Sequence, residues 1–184
     1  MSRGGFFSAI VLSLLALAWP AAAAQSLAAA ESLEYAVKAT FLYKFASFVE
    51  WPQAAFESAN APVTICVIGS DPVALLIDHA ASGQSVGERA LAVRHPQNLS
   101  AVSGCQILYI ATPALAADAQ NAVRGMPVLT VSDGANTGAG TSIVSFVVQD
   151  NRVRFDIDDA AAAANGLAIS SKLLSLARAV RPRP

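Results

Sequence analysis

The two cysteines of this 184-residue chain, Cys66 and Cys105, are the first residues whose type and placement suggest chemistry, because each sits in an apolar, strand-like run. Two such thiols can join, stay reduced in a core, or hold a metal. The last is poorly served, since no histidine accompanies them. His79 and His95 fall in a helix-like segment and in a loop before Pro96, without a recognisable nucleophile or ligand partner. They read as structural or surface residues. Asp156, Asp158 and Asp159 could hold a cation, but Asp159 reads more simply as a helix cap. The stretch Gly134 to Gly140 is rich enough in glycine to suggest a phosphate cradle. It lacks the lysine of a P-loop and leads into a strand, so a flexible hairpin connection is the better expectation. No catalytic residue, metal or cofactor is expected, and the chain is not expected to be an enzyme.

A binding surface is easier to support. Phe48 and Trp51 lie where the first helix should leave the core, and tryptophan is a common interface anchor. Arg152 and Arg154 alternate onto one face of a strand, where two guanidinium groups can meet carboxylates of a partner or an anionic ligand. Lys172, in the closing helix, could join them. The alternative is that Trp51 packs as a lid on the core and the arginines are ordinary solvated residues.

The elements that must position these side chains are legible in outline. Glu31 to Glu50 reads as a helix, with Glu34 and Lys38 as an i,i+4 pair and the stripe 31, 34, 38, 41, 45, 48 turning from charged to aromatic at Phe41. Its first two turns are expected to project past the core, with Trp51-Pro52 as the terminator. Val63 to Ile68 reads as a buried strand ended by Gly69, with Ser70 or Asp71 capping a helix that opens on Pro72 and stops at Ser82-Gly83. A weaker strand at Ala90 to Arg94, a second buried strand at Gln106 to Ile110, a short helix from Thr112-Pro113 to about Arg124, and a third strand at Pro127 to Val131 continue the rhythm. Ile143 to Gln149 and Arg152 to Ile157 alternate about Asp150-Asn151, as a tight antiparallel hairpin requires. Asp158 or Asp159 should cap a closing helix through Ala160 to Ala164, interrupted near Asn165-Gly166 and resuming from Ser170 to Ala179. The tail Arg181 to Pro184 is expected to be disordered. The predicted class is α/β: a mixed sheet of parallel strands with a C-terminal antiparallel hairpin, flanked by helices.

Compartment and charge narrow the function. Arg3, the apolar core Phe6 to Trp19, and Pro20 followed by four alanines read as a secretory signal peptide over residues 1–24, cut after Ala24. An uncleaved anchor is the alternative, but that core is about 14 residues where a span needs roughly 20. Residues 25–184 then form a single domain. In an oxidising compartment Cys66 and Cys105 are expected to be joined, and closing a loop of about 40 residues would stabilise the fold by roughly 4 kcal/mol. The 12 basic and 13 acidic residues become 11 and 13 once Arg3 is removed. A net charge near −2 without a basic cluster excludes nucleic acid as a partner.

Taken together, Tyr35 to Pro52 (YAVKATFLYKFASFVEWP), Ile65 to Asp71 (ICVIGSD), Cys105 to Ala111 (CQILYIA), Val128 to Asp133 (VLTVSD), Arg152 to Ile157 (RVRFDI) and Gly166 to Ala177 (GLAISSKLLSLA) resemble the YfiR family. The resemblance implies a periplasmic regulator that inhibits an inner-membrane diguanylate cyclase through the cyclase's periplasmic portion, lowering cyclic-di-GMP and biofilm output. It also implies an outer-membrane lipoprotein as a second partner; a homodimer is a further candidate assembly. Cys66 and Cys105 match the family's core cysteine pair. The second pair carried by some members after the third strand is missing, which removes redox sensing of that kind. The helix-one aromatics and the basic residues of the last strand match parts of the family's binding region. The alternative function is a small-molecule binding module signalling to a transporter or sensor kinase.

Overall fold

A computed structural model describes residues 19–134 and 142–183. The chain divides into two units, Met1–Leu33 and Glu34–Pro184. Most of the expected leader lies outside the described residues, and residues 19–33 are helical. In chain order the elements are α1 (Trp19–Phe45), β1 (Val49–Glu50), β2 (Val63–Ile68), α2 (Pro72–Ala81), β3 (Ser85–Val86), β4 (Arg89–Arg94), β5 (Ile107–Ile110), α3 (Ala116–Ala122), β6 (Leu129–Asp133), β7 (Val144–Gln149), β8 (Arg152–Asp158), α4 (Asp159–Ala164), β9 (Ala168–Ile169), α5 (Ser171–Leu176) and β10 (Ala179–Arg181). Short 3₁₀ turns fill several of the connections.

The main sheet has the order β10-β8-β7-β6-β5-β2-β4-β3. Its centre, β7-β6-β5-β2-β4, is parallel, and the β7–β8 hairpin is antiparallel. This is the predicted mixed α/β class. Central strands carry near-continuous apolar runs because both faces are covered, and every residue of β2 and β5 is buried. Val63, Ile65, Val67, Ile107, Tyr109, Leu129 and Val131 share one core with Leu42 and Phe45 of α1 and Val73 and Ile77 of α2. Cys66, Ile68, Leu108 and Ile110 point the other way, into a second core with Ala119 and Val123. The alternation of a two-residue period decides which core each side chain joins.

Local chemistry explains the turns that hold this sheet. Gly69 ends β2 with φ +87°, and an added Cβ there would collide with Thr112 at the end of β5. Asp71 then caps α2, its Oδ1 accepting from the Ala74 amide at 2.6 Å, ahead of Pro72 in the first turn. Asp158 and Ser170 do the same for α4 and α5.

Several expectations are corrected. The first helix ends at Phe45; Ala46–Phe48 tightens into a 3₁₀ turn, and Val49–Glu50 pairs antiparallel with Ala168–Ile169. The extended conformation demanded before Pro52 is reached two residues earlier than expected, where β-branched Val49 suits a strand. Lys38 does not project past the core: it is 2% exposed. The connection from β6 to β7 is a crossover, because the two strands run parallel. Residues 135–141 within it lie outside the described residues. The closing helix stops at Leu176, and Ala179–Arg181 forms β10, which pairs parallel with β8 and takes in Arg181, the first residue of the tail expected to be disordered.

Candidate functional site

Asp150 and Asn151 adopt φ of 50° and 56°, the left-handed conformations that let a two-residue turn follow the twist of its strands. The turn sets the register: Phe146 faces Phe155, Val147 faces Arg154, and Gln149 faces Arg152. Phe155 therefore points at α1, 5.7 Å from the Phe41 ring and 5.2 Å from the Phe45 ring, with Phe146 5.8 Å from Phe45. Arg152 and Arg154 alternate onto the opposite face and are exposed. Among the described residues, neither makes a hydrogen bond or an ion pair. Two uncommitted guanidinium groups two residues apart form a fork for carboxylates.

Beside them lies a groove of about 330 Å³, lined by Gln149, Asp150 and Arg154 from the hairpin and by Ser175 to Arg178 at the end of α5. Its far wall is partly apolar, with Leu176 54% exposed. Arg178 is already committed, its guanidinium bonding both carboxylate oxygens of Asp156. That contact holds Arg178 further above the ordinary guanidinium range. The groove thus combines the uncommitted Arg154, the exposed carboxylate of Asp150, a neutralised arginine and an exposed aliphatic side chain.

The other expected site residues are distributed. Lys172 places its Nζ 5.8 Å from the ring centroid of half-buried Phe48, so these two are together. Trp51 is half-buried against the core, and its Nε1 donates to the Gln106 carbonyl at 3.2 Å. Buried Gln106 accepts from the Thr64 amide at 2.7 Å and donates to the Ala55 carbonyl at 2.7 Å. Trp51 is thereby fixed as part of a lid on β5. Cys66 and Cys105 are bonded, with a Cα separation of 5.7 Å, tying β2 to the loop that enters β5. His95 meets Asp78 at 2.9 Å on the surface, away from any nucleophile. No cluster of three metal-ligating side chains occurs among the described residues.

The expected Glu34–Lys38 pair is present, but sequence reasoning missed the polar cluster it belongs to. Lys38 Nζ bonds Glu34 and both oxygens of Asp133, at 2.8 and 2.7 Å, at the C-terminal end of β6. Burial opposes its charge, but hydrogen bonds to Asp133 and Glu34 outweigh that, and its pKa lies above the ordinary lysine value. Nearby, the Tyr109 hydroxyl donates to Asp71 Oδ2 at 2.6 Å. Burial and the Asp71 carboxylate keep that phenol protonated far into alkali. The C-terminal ends of parallel strands are where α/β proteins often bind ligands. Here the three ammonium donors already have three acceptors, so the cluster reads as a clasp between α1 and the sheet. The available signal was Lys38 lying on the same helical stripe as Phe41, Phe45 and Phe48.

A family model described as YfiR/HmsC-like matches residues 35–178. No curated protein matches the chain.

Proposed function

Because the chain belongs to the YfiR/HmsC-like family, we propose that it is a periplasmic binding protein that inhibits an inner-membrane diguanylate cyclase and so lowers cyclic-di-GMP and biofilm output. In this reading residues 1–24 are a signal peptide removed on export, and residues 25–184 act as one domain without catalytic chemistry. The observation that carries it is the pair of arginines, Arg152 and Arg154, unpartnered among the described residues, on one exposed strand face beside the groove. That face docks acidic residues of the cyclase's periplasmic portion, with the Phe48–Lys172 pair as a second contact. Inhibition follows only if docking is tighter to the inactive arrangement of the cyclase than to the active one. An outer-membrane lipoprotein would relieve it by competing for the protein.

Binding of the purified chain to the cyclase's periplasmic portion tests this directly. Arg152→Glu with Arg154→Glu should weaken binding at least about tenfold, mainly by losing electrostatic complementarity. Unchanged affinity in a folded double variant would remove the proposed surface. The second reading, a small-molecule module signalling to a transporter or sensor kinase, is favoured by the groove volume, which falls in the range of ligand pockets. Ligand-dependent thermal shifts without any cyclase interaction would support it instead.

A further inference from the structure

The last six described residues are attached to the fold in an unusual way. Ala179, Val180 and Arg181 are all exposed, so β10 adds almost nothing to the apolar core. Its register on β8 is only three residues long, extended by the Arg178 amide donating to the Phe155 carbonyl at 2.8 Å. What remains is charge. Arg178 forks onto Asp156, Arg181 meets Asp158 at 3.1 Å, and Arg183 forks onto Asp159 at 2.8 and 3.0 Å. Three arginines of the tail thus neutralise three carboxylates on β8 and at the start of α4. The same segment is continuous with residues 175–178, which form the far wall of the groove.

We propose that Arg178–Arg183 is a salt-sensitive latch, and that its closed form is the one competent to dock a partner in the groove. Release takes Arg178 out of the wall, while Ser175 to Ala177 stay with α5 and the core. It also uncovers Asp156, which lies two residues from Arg154 on the same strand face and would then compete for that free guanidinium. An open latch therefore loses one end of the groove wall and the groove's uncommitted cation. Local opening of this kind is expected of an element with little buried apolar area and many exposed hydrogen bonds. The latch stands on the fold alone; its effect on docking rests on the function proposed above.

Hydrogen exchange of the mature chain, without any partner, tests the latch. Between about 0.1 M and about 1 M salt the screening length falls from about 10 Å to about 3 Å. The Arg178 amide, bonded to the Phe155 carbonyl, and the β10 amides bonded to β8 should exchange about tenfold faster at the higher salt, while the β5 amides change less than about twofold. The Arg178→Gln, Arg181→Gln, Arg183→Gln triple variant should exchange fast there at both salts, with β5 still protected. Equal protection of the tail across salt, or in the triple variant, overturns the latch. A second arm measures affinity of the triple variant for the cyclase's periplasmic portion, expected to fall at least about fivefold. If the wild-type chain binds and the variant with an open tail binds equally well, the coupling to docking is wrong while the latch survives. If the wild-type chain does not bind at all, the functional reading fails and the exchange result stands.

Discussion

The molecule uses the same chemistry, a cation against carboxylates, in two regions that bury the cation to opposite degrees. At the C-terminal end of β6 the Lys38 side chain is 3% exposed and is held by Glu34 and Asp133. At the sheet edge the side chains of Arg178, Arg181 and Arg183 are 39%, 74% and 43% exposed. Water decides what each arrangement is worth. A desolvated lysine cannot lose its partners without stranding a charge in the interior, which costs several kcal/mol. An exposed arginine that lets go is rehydrated at once, while the carboxylates it leaves, Asp156, Asp158 and Asp159, are 24%, 11% and 10% exposed and regain water less fully. The first region fixes the fold. The second holds a strand in place only weakly, beside the surface proposed to bind.

The largest test removes the covalent brace that neither set of charges supplies. Cys66→Ser with Cys105→Ser should lower unfolding free energy by roughly 4 kcal/mol in oxidising buffer, read by denaturant titration. Intrinsic partner affinity should change much less, and a stable double variant that lost binding would place the disulfide in the site itself. Next, Lys38→Ala should cost about 3 kcal/mol in the same titration. That is the low end for a broken buried pair, because Glu34 and Asp133 are partly exposed and regain water. A loss below about 0.5 kcal/mol would erase the contrast between the two regions.

Alkaline pH tests the clasp from another side. Lys38 and Tyr109 both have folded pKa values raised above their ordinary values of 10.5 and 10.0. A raised folded pKa contributes stability in full below the unfolded value and loses it as pH climbs past that value. Both contributions should therefore be fully present and independent of pH between about pH 7 and about pH 9, and thermal stability should fall above about pH 10. Lys38→Ala should flatten part of that alkaline decline. The smallest global effect belongs to the latch: Arg178→Gln should leave the unfolding midpoint nearly unchanged while loosening the β10 amides bonded to β8 in hydrogen exchange.

Local signals carried much of the fold. The apolar run Val63 to Ile68, the Asp71-Pro72 helix start and the Asp150-Asn151 turn each state their structure within a few residues, and each is found where it was expected. Elements defined by a distant partner were not legible. Val49–Glu50 is a strand only because Ala168–Ile169 lies against it, and β10 only because β8 offers a parallel edge. Lys38 looks like a solvated helix residue until the end of β6 brings Asp133 across 95 positions of sequence. The hairpin arginines were visible from alternation alone. What alternation could not show was that Arg178 would be neutralised by Asp156, leaving Arg154 as the free cation of the groove.

The central claim is that the Arg152–Arg154 face restrains a membrane diguanylate cyclase, and cellular cyclic-di-GMP reads it most directly. Deleting the gene in a cell that carries the cognate cyclase should raise cyclic-di-GMP. The wild-type chain should restore the low level, and the Arg152→Glu, Arg154→Glu variant, at equal periplasmic abundance, should not. Unchanged cyclic-di-GMP on deletion, or full restoration by the double variant, would contradict the account.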